Sequence, residues 1–108
     1  MFVFVIKNIR ESKKISLNKL SEKTGISKSY LHELENNKKF NVTLDKLYKI
    51  AKVLDVNIKD LFYTALDLGF LRKELHNRIN KYGLNSKETL EISEVIDLLV
   101  NIRFRELD

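Results

Sequence analysis

The chain has 108 residues, is 44% hydrophobic and 32% charged, and carries a formal net charge of +5; that is apolar content enough for a folded core, in one compact domain or a small domain with an appendage. The absence of cysteine and the presence of only two, widely separated, histidines exclude a disulfide framework, a thiolate metal site and a zinc site set by histidine spacing, so no metal or cofactor is expected and a reducing cytoplasm is the expected compartment. The positive charge is concentrated: residues 1–62 hold 13 Lys/Arg against 7 Asp/Glu, whereas residues 63–108 hold 7 against 8, which makes a polyanion the expected partner of the first half only.

With no proline and only three glycines, at 25, 69 and 83, the chain reads as all-α. The apolar start MFVFVI is too short to span a membrane and is followed by Lys7, Asn8 and Arg10 with no small-residue cleavage site, so no membrane partner is expected. It reads as the start of a first helix from about Phe4 to Lys13 that buries Ile6 and Ile9, with Phe2 and Phe4 in core or dimer-edge packing. Residues 16–38, SLNKLSEKTGISKSYLHELENNK, place two short amphipathic helices around one glycine. Ser16 caps the first, Gly25 supplies the left-handed turn residue, and Ser27 caps the second. The apolar set Leu17, Leu20, Ile26, Tyr30, Leu31 and Leu34 recurs at three- and four-residue spacing, and Lys28, Ser29, His32 and Glu33 fall on the face opposite Leu31 and Leu34.

A fourth helix over Thr43 to Leu54 has the stripe Leu44, Leu47, Tyr48, Ile50, Ala51 and Leu54, with Asp45 in its first turn, where it suits the helix dipole. A short fifth follows Asn57 as cap, with Asp60 in its first turn and Leu61 and Phe62 docking. The pattern then lengthens. Between Ala65 and Tyr82 the apolar positions Leu68, Leu71, Leu75, Ile79 and Tyr82 step by three and four, and Gly83 ends the arm. Ser86 caps a second arm whose stretch from Leu90 to Leu107 is apolar on more than one face, including Ile92, Val95, Ile96, Leu98, Leu99, Val100, Ile102 and Phe104. Two helices joined by a tight turn cannot bury all of that alone, so packing on a second copy or on a partner helix is expected. The expected architecture is a five-helix DNA-binding domain over residues 1–63 followed by an antiparallel helical hairpin over residues 64–108.

A second helix with a polar outer face in a basic domain suits the DNA major groove. Lys28 can donate to guanine O6/N7, Glu33 can accept from cytosine N4, and Ser29 can do either. Lys38 and Lys39, a basic pair just past that helix, sit where a backbone phosphate would lie. One module of this size buries too little DNA surface for tight, selective binding, so two recognition helices about one DNA turn apart are expected, and with them a homodimer. The residues expected to make it are Leu68, Leu71, Leu75, Ile79, Ile92, Val95, Ile96, Leu99 and Ile102. There is no phosphate-cradling glycine loop, metal cluster or nucleophile constellation, and the chain is expected not to be an enzyme.

Residues 6–62 closely resemble the lambda-repressor/Cro-like helix-turn-helix family, also called the XRE family, and are most similar to its branch of biofilm and sporulation repressors, which carry a helical self-association segment after the DNA-binding domain. The resemblance implies a lambda-repressor-like fold and a transcriptional regulator, a dimeric repressor on a double-stranded DNA operator. It places Ser27, Lys28, Ser29, His32 and Glu33 at base edges, puts Ser16, Asn36 and Lys38 on phosphates, and makes Arg10 and Glu35 a structural pair. The family often has glycine where Asn37 stands, and Asn37 can take the left-handed conformation. Residues 71–104 resemble the two-helix sporulation phosphatases that act on the aspartyl-phosphate of a response regulator. Of that family's Ser-Gln-Glu-Leu-Asp signature, Ser93-Glu94-Val95-Ile96-Asp97 keeps the Ser and the Asp. This resemblance implies an alternative function, a phosphatase or an antagonist acting through the hairpin on a second regulator protein.

Overall fold

The computed structural model describes residues 2–39 and 41–107, with side chains described to residue 101. The chain forms two compact units, Phe4–Phe62 and Tyr63–Asp108, the latter joined by Met1–Val3.

The first unit is built on four helices: α1 (Ile6–Ser12), α2 (Leu17–Thr24), α3 (Lys28–Glu35) and α4 (Leu44–Leu54). Each of the last three starts on a hydroxyl. Ser16, Ser27 and Thr43 accept the amide N–H of Lys19, Tyr30 and Lys46 at 3.0, 3.2 and 3.2 Å, which satisfies one orphan donor per helix. Gly25 ends α2 at φ +73°, and Asp55 ends α4 in the left-handed region. Their apolar faces close one core in which Ile6, Leu20, Leu31, Leu34, Ile50, Leu54 and Leu61 are fully buried. Burying each such side chain stabilises the fold by about 1.5–3 kcal/mol relative to exposure.

Three expectations change. Phe4 does not open the first helix: Val3–Phe4 (β1) pairs with Phe62–Tyr63 (β2) in a two-stranded sheet, and α1 starts at Ile6. Aromatic and β-branched residues suit a strand, and the Phe4 and Phe62 rings meet edge to face at 6.2 Å. The fifth helix is a single 3₁₀ turn, Ile58–Leu61, closed by the Asp60 carboxylate accepting the Asn57 N–H at 3.0 Å. In α4 the stripe narrows to Leu47, Ile50, Ala51 and Leu54. Leu44, in the first turn, and Tyr48, a 100° step round from Leu47, are exposed.

Two polar contacts lock this unit. Arg10, in the last turn of α1, donates through Nε and Nη2 to both carboxylate oxygens of Glu35 at 2.7 and 3.0 Å, and through Nη1 to the carbonyl of Ile15 at 2.9 Å. The hydrogen bonds that Arg10 donates to the Glu35 carboxylate raise the Arg10 pKa above its ordinary value. Asn37 takes φ +56°, and its side-chain amide bridges Phe4, accepting the N–H at 2.7 Å and donating to the carbonyl at 3.3 Å. A glycine there would relieve the backbone but lose both bonds.

The second unit is a hairpin. A 3₁₀ turn, Ala65–Asp67, leads into α5 (Leu68–Tyr82), which packs against α6 (Lys87–Leu107). Gly83, at φ +93°, stops α5; Ser86 accepts the Thr89 N–H at 3.2 Å, and the buried Thr89 hydroxyl donates to the Gly83 carbonyl at 2.8 Å. Arg78 ties the arms by donating to Glu74 at 3.0 Å and to the Glu88 carbonyl at 2.8 Å.

Arg10→Ala or Glu35→Ala alone leaves an almost fully buried charge unpaired and is expected to cost about 3–5 kcal/mol, whereas the double substitution Arg10→Met, Glu35→Leu costs far less. Chemical denaturation followed by circular dichroism reads the difference; equal losses for single and double variants would contradict it.

Candidate nucleic-acid interface

The geometry of the site begins with the turn between α2 and α3. Thr24 is buried, donates its hydroxyl to the Leu20 carbonyl at 2.7 Å and accepts the Ile26 N–H at 3.2 Å. Ser21 donates to the Ile26 carbonyl at 2.6 Å. Both backbone groups of Ile26 are thus held by α2, Ile26 itself is buried, and the direction of α3 is set by side chains as well as by Gly25. Thr24 and Ser21 were not distinguishable as turn-makers by spacing, because a hydroxyl inside an amphipathic helix reads as a polar-face residue.

On α3, Leu31, Leu34 and Glu35 point inward. Ser27, Lys28, Ser29, His32 and Glu33 are all exposed, as are Asn36, Lys38 and Ser16, while Lys39 is half-buried. The nine residues differ in what they have free to offer. The Ser16 and Ser27 oxygens are engaged as helix caps, which leaves their hydroxyl protons to donate. Asn36 folds back on α3, its amide donating to the His32 carbonyl at 2.8 Å and lying 3.3 Å from His32 Nε2. Glu33 Oε2 lies 3.7 Å from Lys39 Nζ, an exposed pair worth about 0–1 kcal/mol and therefore easily exchanged. Two neighbours join the site that spacing does not mark. Tyr30, a member of the apolar set, also has Lys39 Nζ and Lys46 Nζ at 4.6 and 4.2 Å from its ring centroid, and its hydroxyl donates to the Asn41 carbonyl at 3.4 Å. Lys46 is on α4, and no spacing within α3 could have pointed to it.

The hairpin residues expected to form a dimer face divide sharply. Leu68, Leu71, Ile92, Val95 and Leu99 are buried within the single chain, so a second copy does not reach them in this conformation. Leu75, Ile79 and Ile96 are half-buried, and the side chain of Ile102 lies outside the described residues, as does that of Phe104. Among the described residues, the large apolar groups the hairpin leaves exposed are others: Leu66 at 96% and Phe70 at 61% near the start of α5, and Tyr82, from the expected stripe, with Leu84 and Leu90 about the closed end. Ser93 is half-buried and Asp97 exposed on α6, and Val95 between them faces inward. His76 is exposed. Among the described residues no group of acidic or histidine side chains could hold a metal, and no helix is long and apolar enough to cross a membrane.

A capped pair of helices with a side-chain-locked turn, whose second helix presents an outer face of Lys, Ser, His and Glu, defines a helix-turn-helix module, the class of fold that lays its second helix in a DNA major groove. Residues 6–61 match the family described as Helix-turn-helix, and residues 69–103 the one described as Spo0E like sporulation regulatory protein. The chain belongs to the helix-turn-helix family of the lambda-repressor/Cro (XRE) type and carries a Spo0E-like segment after that module. It is similar to the HTH-type transcriptional regulator SinR of Bacillus subtilis (strain 168), 43% identical over 56 residues that cover 52% of this chain and 50% of SinR. It thus spans about half the length of that relative. It is also similar to the aspartyl-phosphate phosphatase YisI of the same organism, 44% identical over 36 residues, 33% of this chain and 64% of YisI. A solved structure, the SinR protein/SinI protein complex, contains a chain 30% identical to this one, with 95% of each chain covered and a TM-score of 0.52.

Thr24→Val keeps the shape of the turn but strands the buried Ile26 N–H, and is expected to cost about 1–3 kcal/mol. A denaturation midpoint equal to wild type would show that the turn does not depend on that hydroxyl.

Proposed function

We propose that this protein is a DNA-binding transcriptional regulator, a dimeric repressor that reads double-stranded operator DNA of two-fold symmetry. The observation that carries the reading is the outer face of α3, where Lys28, Ser29, His32 and Glu33 are all exposed on a helix whose inner face is locked into the core. In the reading, Ser27, Lys28, Ser29, His32 and Glu33 face base edges, and Ser16, Asn36, Lys38 and Lys39 hold the backbone phosphates. Similarity to SinR, a transcriptional regulator by name, supports it.

Two-fold binding needs a second copy, and the hairpin is the segment assigned to recruit it. Since five of the nine residues first expected at the contact are covered within one chain, the contact is assigned instead to Leu66 and Phe70, with Leu75 and Ile79 along the same helix. Leaving two large apolar side chains exposed four residues apart is unfavourable unless something covers them.

The alternative is that the hairpin acts on a second regulator protein. The name of the SinR protein/SinI protein complex, a hetero-assembly, favours an antagonist or hetero-partner form of this alternative. The phosphatase form is less well supported: Val95 is buried and apolar where the resembled signature has a carboxylate, so Asp97 and the outward Glu94 are the acids left on that stretch.

Selection of bound fragments from random duplex DNA is expected to return a motif with two-fold symmetry and half-sites one helical turn or a multiple apart; an asymmetric motif would contradict the dimeric reading. Light scattering is expected to give a dimer for the full chain at micromolar concentration and a monomer for Leu66→Glu, Phe70→Glu; a monomeric wild type would overturn it.

A further inference from the structure

Two ammonium groups share one aromatic ring beside the recognition helix. Lys46 Nζ stands 4.2 Å and Lys39 Nζ 4.6 Å from the centroid of Tyr30. The ring's quadrupole attracts each cation, whereas the cations repel each other. The counter-charge is incomplete. Glu33 lies 3.7 Å from Lys39, and Lys46 makes no ion pair among the described residues, so the group carries a net positive charge.

The ring itself is fixed from three directions. Tyr30 packs half-buried against the core, its N–H is held by the Ser27 cap at 3.2 Å, and its hydroxyl donates to the Asn41 carbonyl at 3.4 Å. Lys46 is fixed at its root as well, since its own N–H is the one that Thr43 caps, at 3.2 Å. A lysine ordinarily loses much rotamer freedom when it binds a phosphate, and one already lodged on a ring has less to lose.

We infer that Tyr30, Lys39 and Lys46 form a preorganised clamp for backbone phosphates of duplex DNA, in which Lys46 is a phosphate ligand, Tyr30 is the positioning residue, and Glu33 is the counter-charge that Lys39 exchanges for a phosphate. This rests on the DNA-binding reading and extends it to α4. The exchange also links the two kinds of contact: when Lys39 moves to a phosphate, the Glu33 oxygen that faced it is released to accept from a base edge. Where no base partner is offered, Glu33 competes with phosphate for Lys39.

The test is the salt dependence of binding of the full-length protein to a duplex of mixed sequence, where phosphate contacts dominate. Lys46→Gln is expected to lower the magnitude of the log–log salt slope by about 1 per bound subunit. Tyr30→Leu, checked for an unchanged thermal melt, should weaken binding about two- to fivefold at fixed salt. Tyr30→Phe, which keeps the ring and loses only the hydroxyl bond, should lose less affinity than Tyr30→Leu. Glu33→Gln should bind this duplex more tightly, because Lys39 no longer has a competing carboxylate. A wild-type slope and affinity for Lys46→Gln, a loss in Tyr30→Phe equal to that in Tyr30→Leu, or weaker binding by Glu33→Gln would overturn the clamp while leaving the DNA-binding reading intact. Failure of the wild type to bind any duplex at low salt would instead overturn that reading, and the clamp with it.

Discussion

The fold of the first unit turns on one buried carboxylate. Glu35 closes α3 with its side chain only 3% exposed, and it is tolerable there because Arg10 meets both of its oxygens and uses a third N–H on the Ile15 carbonyl. A charge so placed and left unpaired would cost several kcal/mol. The chain therefore has one low-energy way to bring α1, the segment before α2, and the end of α3 together. The outward aim of Lys28, Ser29, His32 and Glu33 follows from that closure, since α3 cannot rotate about its axis without withdrawing Glu35 from Arg10.

On this frame, polar chemistry is sorted by role more finely than composition suggests. Hydroxyls at Ser16, Ser27 and Thr43 serve the helix ends, and those at Ser21 and Thr24 serve the turn. What remains unspent on α3 is a short strip of donors and acceptors with exchangeable partners. The exposed Glu33 and Lys39 pair illustrates such a surface: at 3.7 Å it is weak enough to yield to a phosphate.

The hairpin poses a different balance. Its sequence holds more apolar residues than one helix pair was expected to cover, and five of the nine assigned to a partner are in fact buried in the single chain. The excess is real but lies elsewhere, at Leu66, Phe70, Leu84 and Leu90. An exposed leucine is ordinary alone; two large groups four residues apart at the head of a helix are less so. The question of a partner is thereby moved toward the start of α5, where Leu66 and Phe70 are exposed.

Local chemistry was legible in the sequence because it acts over three or four residues. Ser16 and Ser27 as caps, Gly25 as the left-handed stop, the two-helix motif and the hairpin all follow from spacing and backbone preference, whereas Asn37 at positive φ follows from the resemblance. Tertiary structure decided what depends on residues far apart in the chain. Val3–Phe4 became a strand because Phe62–Tyr63 was there to pair with it, Asn37 gained two bonds to Phe4, and Lys46 reached the ring of Tyr30 from another helix. Periodicity tells which residues share a face, but not which part of that face another element covers. That is why Leu44 and Tyr48 could not be told from Leu47, nor Leu71 from a residue awaiting a partner, until the chain was folded.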